Sequence, residues 1–155
     1  MKVLVTSKSF GTTEPKALQY LVERGIHVDR SLICSPSAAD IARQIQGYDA
    51  LIVGNDTVDE SVLCSADRLQ VVHMHGTGID AIDLECATRK GILVMNAPGA
   101  NRNAVAETTV ALMLSAGRKV MEHAQLLHDG KWERCPGNEI SGSCVGMIGL
   151  GNIGR

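Results

Sequence analysis

Four consecutive apolar residues, Ala50-Leu51-Ile52-Val53, are the feature that most narrows what this chain can fold into. A strand with one wet face alternates apolar and polar side chains. An unbroken apolar run of this length fits a strand covered on both faces, as in a parallel sheet flanked by helices. Val3-Leu4-Val5, residues 26–33, the segment that begins at Val71-Val72 and ends at Gly76, and Ile92-Leu93-Val94-Met95 are also strand-like.

Helix punctuation separates these runs. Thr13 is placed to cap a helix with Pro15 in its first turn and Leu18, Leu21 and Val22 along it, stopping at Gly25. Ser37 with Asp40 three residues on has the form of a capping box for a helix that uses Ile41 and Ile45 and ends at Gly47. Asp83 is placed to cap a helix over 84–90, whose basic end, Arg89-Lys90, suits the negative pole of the helix dipole before Gly91 terminates it. The alternation predicts an open α/β sheet of five parallel strands over residues 1–100, flavodoxin-like or Rossmann-like, with right-handed crossovers.

A different pattern follows. Residues 103–127 contain no proline and carry Val105, Val110, Leu112, Met113, Leu114, Val120, Met121, Leu126 and Leu127. As one helix they would extend roughly 37 Å, long enough to link two domains. A polar stretch with Pro136, Gly137 and Gly142 leads to Cys144-Val145-Gly146-Met147-Ile148, which reads as the first strand of a second, Rossmann-type sheet. The expected division is therefore residues 1–100 and residues 101–155.

Composition sets outer bounds. Of 155 residues, 45% are hydrophobic and 21% charged, and the net charge is −2, so nothing favours nucleic acid or an anionic membrane as partner. No apolar stretch reaches the ~18 residues needed to span a bilayer, and the short apolar start reads as a strand rather than a signal peptide; a cytoplasmic protein is expected. Five cysteines without a Cys-x-x-Cys pair argue for reduced thiols. Neither they nor His73 and His75, which alternate along one strand, show the spacing of a metal site.

Three motifs could carry chemistry. Gly149-Leu150-Gly151-Asn152-Ile153-Gly154 follows a strand-like run, the context of the dinucleotide fingerprint. Its first glycine permits a tight turn, the second admits a pyrophosphate to the backbone, and the third allows helix and strand to pack closely. His75-Gly76-Thr77-Gly78-Ile79-Asp80 ends a strand, where open parallel sheets bind ligands. Its glycines could take positive φ and present N–H groups to a carboxylate; a plain strand-to-helix turn is the alternative. Residues 96–107 begin Asn96-Ala97-Pro98, continue through Asn101, which could reach a ligand, and include Glu107, expected in the first turn of the long helix; an Asn-rich helix cap is the alternative.

Taken in order, Gly76-Thr77-Gly78-Ile79-Asp80, Asp83-Leu84-Glu85, Ala87-Thr88-Arg89-Lys90-Gly91-Ile92, Asn96-Ala97-Pro98, Val105-Ala106-Glu107, Asp129-Gly130-Lys131-Trp132 and the terminal glycine motif resemble the D-isomer-specific 2-hydroxyacid dehydrogenases. Within that family the likeness is greatest to the phosphoglycerate dehydrogenases. It covers residues 50–155 well and the first 50 only in pattern. The resemblance implies an NAD-dependent oxidoreductase acting on a small 2-hydroxyacid or 2-oxoacid, with NADP left open. It implies a substrate domain, a long helix crossing to the NAD domain, and a homodimer. Gly76, Thr77, Gly78 and Asn101 would surround the substrate, with Thr77 also near the nicotinamide end. Gly149, Gly151, Asn152, Ile153 and Gly154 would hold the pyrophosphate. The family's catalytic arginine, glutamate and histidine would fall beyond Arg155, so no catalytic residue is assigned within these residues. The chain also departs from the pattern. Met74 and Gly54 stand where phosphoglycerate dehydrogenases often place arginines that grip the anionic substrate.

A non-catalytic α/β binding or regulatory module is the competing class. A phospho-receiver domain would need clustered carboxylates after the first strand, where Thr6-Ser7-Lys8-Ser9 has none. A methyltransferase does not suit the motifs that precede the glycine turn.

Overall fold

The computed structural model describes residues 1–12 and 15–155; the expected cap Thr13 lies outside the described residues. The chain divides into two compact units, Met1–Pro98 and Gly99–Arg155.

In the first unit five strands alternate with four helices: β1 (Lys2–Val5), α1 (Lys16–Glu23), β2 (His27–Arg30), α2 (Ala38–Gln44), β3 (Ala50–Val53), α3 (Glu60–Ser65), β4 (Val71–Met74), α4 (Leu84–Arg89) and β5 (Leu93–Met95). All neighbouring strands are parallel, in the order β2-β1-β3-β4-β5. The apolar run at β3 is buried along its whole length. One face of the sheet packs Leu4, Leu51, Val53 and Val72 against Ile41 and Ile45 of α2, Val62 and Leu63 of α3, and Cys86 and Ala87 of α4. The other face packs Val3, Val5, Ala50 and Ile52 against Phe10 and, from α1, Leu18 and Leu21. One helix covers this second face and leaves an apolar hollow of about 320 Å³ that reaches His73 and Met95. Partial burial there, with His75 nearby, holds the His73 pKa below its ordinary value.

The helix caps follow their residues. Ser37 and Asp40 form a reciprocal capping box, and Asp83 accepts the Cys86 N–H at 2.9 Å. Helix α3 was not anticipated by the sequence pattern. It is capped by Asp59, which accepts the Val62 N–H at 3.1 Å. At the amino end of the sheet, Asp49 accepts from the Lys2 N–H at 2.7 Å and from Arg68 at 2.8 Å. Those bonds, the backbone one foremost, hold its carboxyl below the usual range.

The second unit departs from expectation in three ways. The single helix predicted over 103–127 is two helices, α5 (Arg102–Arg118) and α6 (Val120–His128). Lys119 separates them in a left-handed conformation with φ 52°, which interrupts the i to i−4 ladder. Residues 144–148 form no strand, and Val145, Met147 and Ile148 are exposed. An apolar run becomes a strand only where another strand accepts its backbone bonds, and these residues have no such neighbour among the described residues. Glu107 is the sixth residue of α5, past the first turn, so it lies beyond close reach of the dipole end. The polar stretch after α6 returns to α5: the Asn138 N–H donates to Gly117 O at 2.8 Å. The approach requires glycine, because a Cβ on Gly137 would lie 2.6 Å from Gly117 O.

Candidate functional site

The strand order reverses direction between β1 and β3, the point where open α/β sheets form a crevice at the carboxyl ends of the strands. A cavity of about 420 Å³ lies there. Its floor is made by residues that leave β1 and β3: Thr6 and Ser7, both buried, and Gly54. Asp56 enters from the β3 loop, and His75 from the end of β4. Ser37 enters from the start of α2, where it is already engaged as the cap.

Hydrogen bonds fix this floor. Thr6 Oγ1 donates to Asp56 Oδ2 at 2.6 Å, and the Gly54 N–H donates to the same oxygen at 3.1 Å. Ser7 Oγ and Ser9 Oγ are 3.4 Å apart. His75 meets Phe10 edge to face, with ring centroids 5.4 Å apart. The cavity is thus rich in hydroxyls, with Lys8 its one permanent cation among the described lining residues and Asp56 its one carboxylate. Such a lining suits a polar, weakly charged group better than a phosphate dianion, which needs several cations or arginine forks. A Cβ on Gly54 would sit 3.4 Å from Ser7 Oγ, so any side chain there would enter the space beside Ser7.

The loop carrying Gly76, Thr77 and Gly78 follows β4, as expected. It is tied to the loop after β5: Asn96 Nδ2 donates to Thr77 O at 2.7 Å, and the Ala97 N–H donates to Gly76 O at 2.9 Å. Two of the three sequence motifs therefore meet at the same end of the sheet. Contrary to expectation, neither Gly76 nor Gly78 takes a positive φ. What glycine provides at 78 is room: a Cβ there would come 3.3 Å from the Asp80 carboxylate.

Asn101, the remaining candidate for the substrate, belongs to the second unit and stands at the N-cap position of α5. In that unit the terminal glycine motif forms a tight turn. Gly149 has φ 92°, a region that favours glycine, and a Cβ on Gly154 would lie 2.3 Å from Gly149 O. The first and third glycines are thus required by the backbone itself. Asn152 Nδ2 would be 3.8 Å from a Cβ on Gly99, so the turn lies beside the approach to α5. Among the described residues no strand leads into this turn and no helix follows it, so the glycine turn stands by itself.

Sequence reasoning did not single out Thr6, Ser7 or Asp56 as site residues. Their one signal was position, at the carboxyl ends of β1 and β3. They are distant in sequence and join only once the sheet has formed.

Fold, cleft and glycine turn together define an open parallel α/β protein with a polar crevice at the carboxyl ends of its strands. Comparison gives the class a family. Residues 3–143 match the D-isomer specific 2-hydroxyacid dehydrogenase family over its catalytic domain, and the chain belongs to that family. It is 37% identical over 157 residues to D-3-phosphoglycerate dehydrogenase of Archaeoglobus fulgidus, covering 99% of this chain and 29% of that protein. Among solved structures it resembles the TT0316 protein of Thermus thermophilus, with a TM-score of 0.85 and 34% identity over 99% of this chain and 50% of that one. It also resembles the NAD+-bound 3-phosphoglycerate dehydrogenase of Entamoeba histolytica, with a TM-score of 0.73 and 28% identity over 90% of this chain and 43% of that one. The chain spans about 29% of the Archaeoglobus protein's length.

Proposed function

We propose that this chain supplies the substrate-binding unit and the opening turn of the cofactor site of an NAD-dependent oxidoreductase acting on the CH–OH group of a D-2-hydroxyacid. The observation that carries this reading is the family match over residues 3–143. The Entamoeba relative, whose structure holds NAD+, supports NAD as the cofactor, and so does a glycine turn that excludes any larger residue at 154. Bound NAD would supply the hydride acceptor for the substrate CH–OH group. Gly149, Gly151, Asn152, Ile153 and Gly154 would hold the pyrophosphate. Gly76, Thr77, Gly78 and Asn101 would surround the substrate carboxylate and hydroxyl, with Thr77 toward the nicotinamide. No residue of this chain is assigned the proton transfer or the arginine grip on the carboxylate.

The substrate we infer is a 2-hydroxyacid, or the corresponding 2-oxoacid, without a phosphate. Met74 is only 5% exposed and Gly54 has no side chain, so neither can grip a phosphate. We place the protein in the cytoplasm; among the described residues no helix is long and apolar enough to cross a membrane. We further infer a homodimer that covers exposed apolar residues of α5 and α6, among them Leu112 and Met121.

Calorimetric titration with NADH and a 2-hydroxyacid oxidation assay test the proposal. The 155-residue chain is expected to bind NADH weakly or not at all and to turn nothing over. A pyrophosphate site draws on the helix that follows the glycine turn and on an acidic residue about 20 positions further on. The longest polypeptide encoded with these residues is expected to do both, and there Gly78→Val should lower kcat/KM by at least ~10-fold while barely changing the thermal midpoint. Tight NADH binding by the 155-residue chain would overturn this division of labour. Failure of the longest polypeptide in both assays would favour a non-catalytic binding module.

A further inference from the structure

Away from the cleft, the backbone places the starts of α3 and α4 side by side. The Val58 N–H donates to Ala81 O at 2.8 Å, and the Asp83 N–H donates to Val58 O at 2.9 Å. Val58 and Ile82 thus form a parallel bridge immediately before the two capping aspartates, Asp59 and Asp83. Each cap starts a helix of six residues, and the shared bridge fixes their register. On α3, Glu60 and Cys64 are one turn apart and share a face. On α4, Cys86 points inward and is 1% exposed.

One consequence is a convergence of three ligand atoms. A carboxylate oxygen of Glu60, Cys64 Sγ and Cys86 Sγ all lie within 4.8 Å of one another. The set is half-buried: Cys86 forms its inner wall, and Glu60 and Cys64 are exposed. A tetrahedral ion bonded at about 2.0–2.3 Å to sulfur and oxygen holds its ligand atoms roughly 3.5 Å apart. Closing that gap calls for rotation of the Glu60 and Cys64 side chains, both exposed. Glu60 is held by Arg89 at 2.9 Å, an exposed ion pair that is cheap to exchange for a metal bond.

We propose that Glu60, Cys64 and Cys86 form a site for a borderline-soft divalent cation of the zinc type, with water in the fourth position, which clips α3 to α4. Two thiolates and one carboxylate select such an ion over magnesium or calcium, which take oxygen ligands. Bound there, it also steadies residues 76–82, because that loop ends at the Val58–Ile82 bridge.

The test uses the reduced 155-residue chain with Zn2+ or Cd2+ alone. Cadmium is expected to bind with one-to-one stoichiometry, to give an ultraviolet thiolate charge-transfer band, and to be displaced by zinc. Saturating zinc is expected to raise the thermal midpoint by about 5 °C or more. Cys64→Ser and Cys86→Ser should each lose the band. Glu60→Gln should weaken zinc at least ~10-fold with the band retained, since the two sulfurs remain. Cys34→Ser, Cys135→Ser and Cys144→Ser should behave as the parent. Cys64 and Glu60 are exposed, so their variants remain informative even where Cys86→Ser unfolds the chain; circular dichroism shows which applies. Binding that survives Cys64→Ser, or follows Cys135 or Cys144, overturns the proposal. So does a Cys64–Cys86 disulfide that forms in air in a protein that takes up no metal after reduction.

Discussion

The two units of this chain use similar residues to different ends. In Met1–Pro98 the apolar side chains close on one another: Leu51, Val53, Val62, Leu63 and Val72 are wholly buried. In Gly99–Arg155 no described residue is buried, although α5 and α6 carry Val110, Leu112, Leu114, Met121 and Leu127. Helix propensity is high in both. The difference is that the first unit has a sheet for its helices to cover, and the second has only two helices and a strap. Most helical stability in proteins comes from packing an apolar face rather than from propensity. The first unit should therefore hold the cooperative stability of the chain, and the second should gain its own only by covering α5 and α6.

The largest expected effect tests that contrast with one pair of leucines. Leu51→Ala, in the buried strand, should cost about 2–5 kcal/mol in urea denaturation followed by circular dichroism. Leu112→Ala, 64% exposed, should change stability by no more than about 0.5 kcal/mol. Equal costs would show that α5 is packed as a core helix. Next in size is the cap of α4. Asp83→Ala removes the acceptor for the Cys86 N–H and should cost about 1 kcal/mol.

Lys119 offers a change in the opposite direction. A lysine in the left-handed region is strained, and glycine is not. Lys119→Gly should leave the first unit's transition unchanged and stabilise the α5–α6 junction by about 0.5–1 kcal/mol, read as added helical signal on gentle heating. A loss of helix would show that the lysine side chain holds the junction.

The smallest effect per group is electrostatic, and it falls on the first unit. Hydrogen bonds hold the carboxyls of Asp29 (Tyr48), Asp40 (Ser37), Asp49 (Lys2 N–H), Asp59 (Ser61) and Asp67 (Gly47 N–H) below their ordinary value of 3.8. A lowered carboxyl stabilises the fold above its unfolded value. That contribution disappears as pH falls from about 3.8 through the folded values, because the unfolded chain takes up protons first. His73, lowered by burial from 6.5, adds a shallower loss that begins below that pH. The thermal midpoint should be flat near neutrality, dip slightly below pH 6.5 and drop below pH 4. Asp49→Asn should reduce the last drop.

What was legible in the sequence had local causes. Four-residue apolar runs, a Ser37–Asp40 box and the Asp83 cap are readable from neighbours alone, and each stands where expected. The glycine turn was legible because two of its glycines are demanded by the backbone. Helix α3 was missed because six residues are less than two turns, and its helical state rests on burying Val62 and Leu63 in tertiary contacts. The break at Lys119 follows Gly117 by two residues, and one glycine inside a helical pattern is too weak a signal to mark a helix end. Residues 144–148 have strand composition without a strand partner among the described residues. The cleft was half legible. His75 announces itself beside the loop of Gly76, Thr77 and Gly78, which follows β4 without lining the cavity, whereas Thr6, Ser7 and Asp56 are assembled from sequence positions about 50 residues apart. The convergence of Glu60, Cys64 and Cys86 lay outside any spacing rule for the same reason.

Amide hydrogen exchange, followed residue by residue on the 155-residue chain, tests most directly whether the sheet unit is the chain's one cooperative core. The account predicts that the amides of Leu4, Leu51 and Val72, in the middle of the buried strands, exchange only through global unfolding. It predicts that those of α5 and α6 exchange at least ~100-fold faster, through local opening. Protection of α5 and α6 equal to that of β3 would contradict it, because helices with no buried residue would then be as stable as the core.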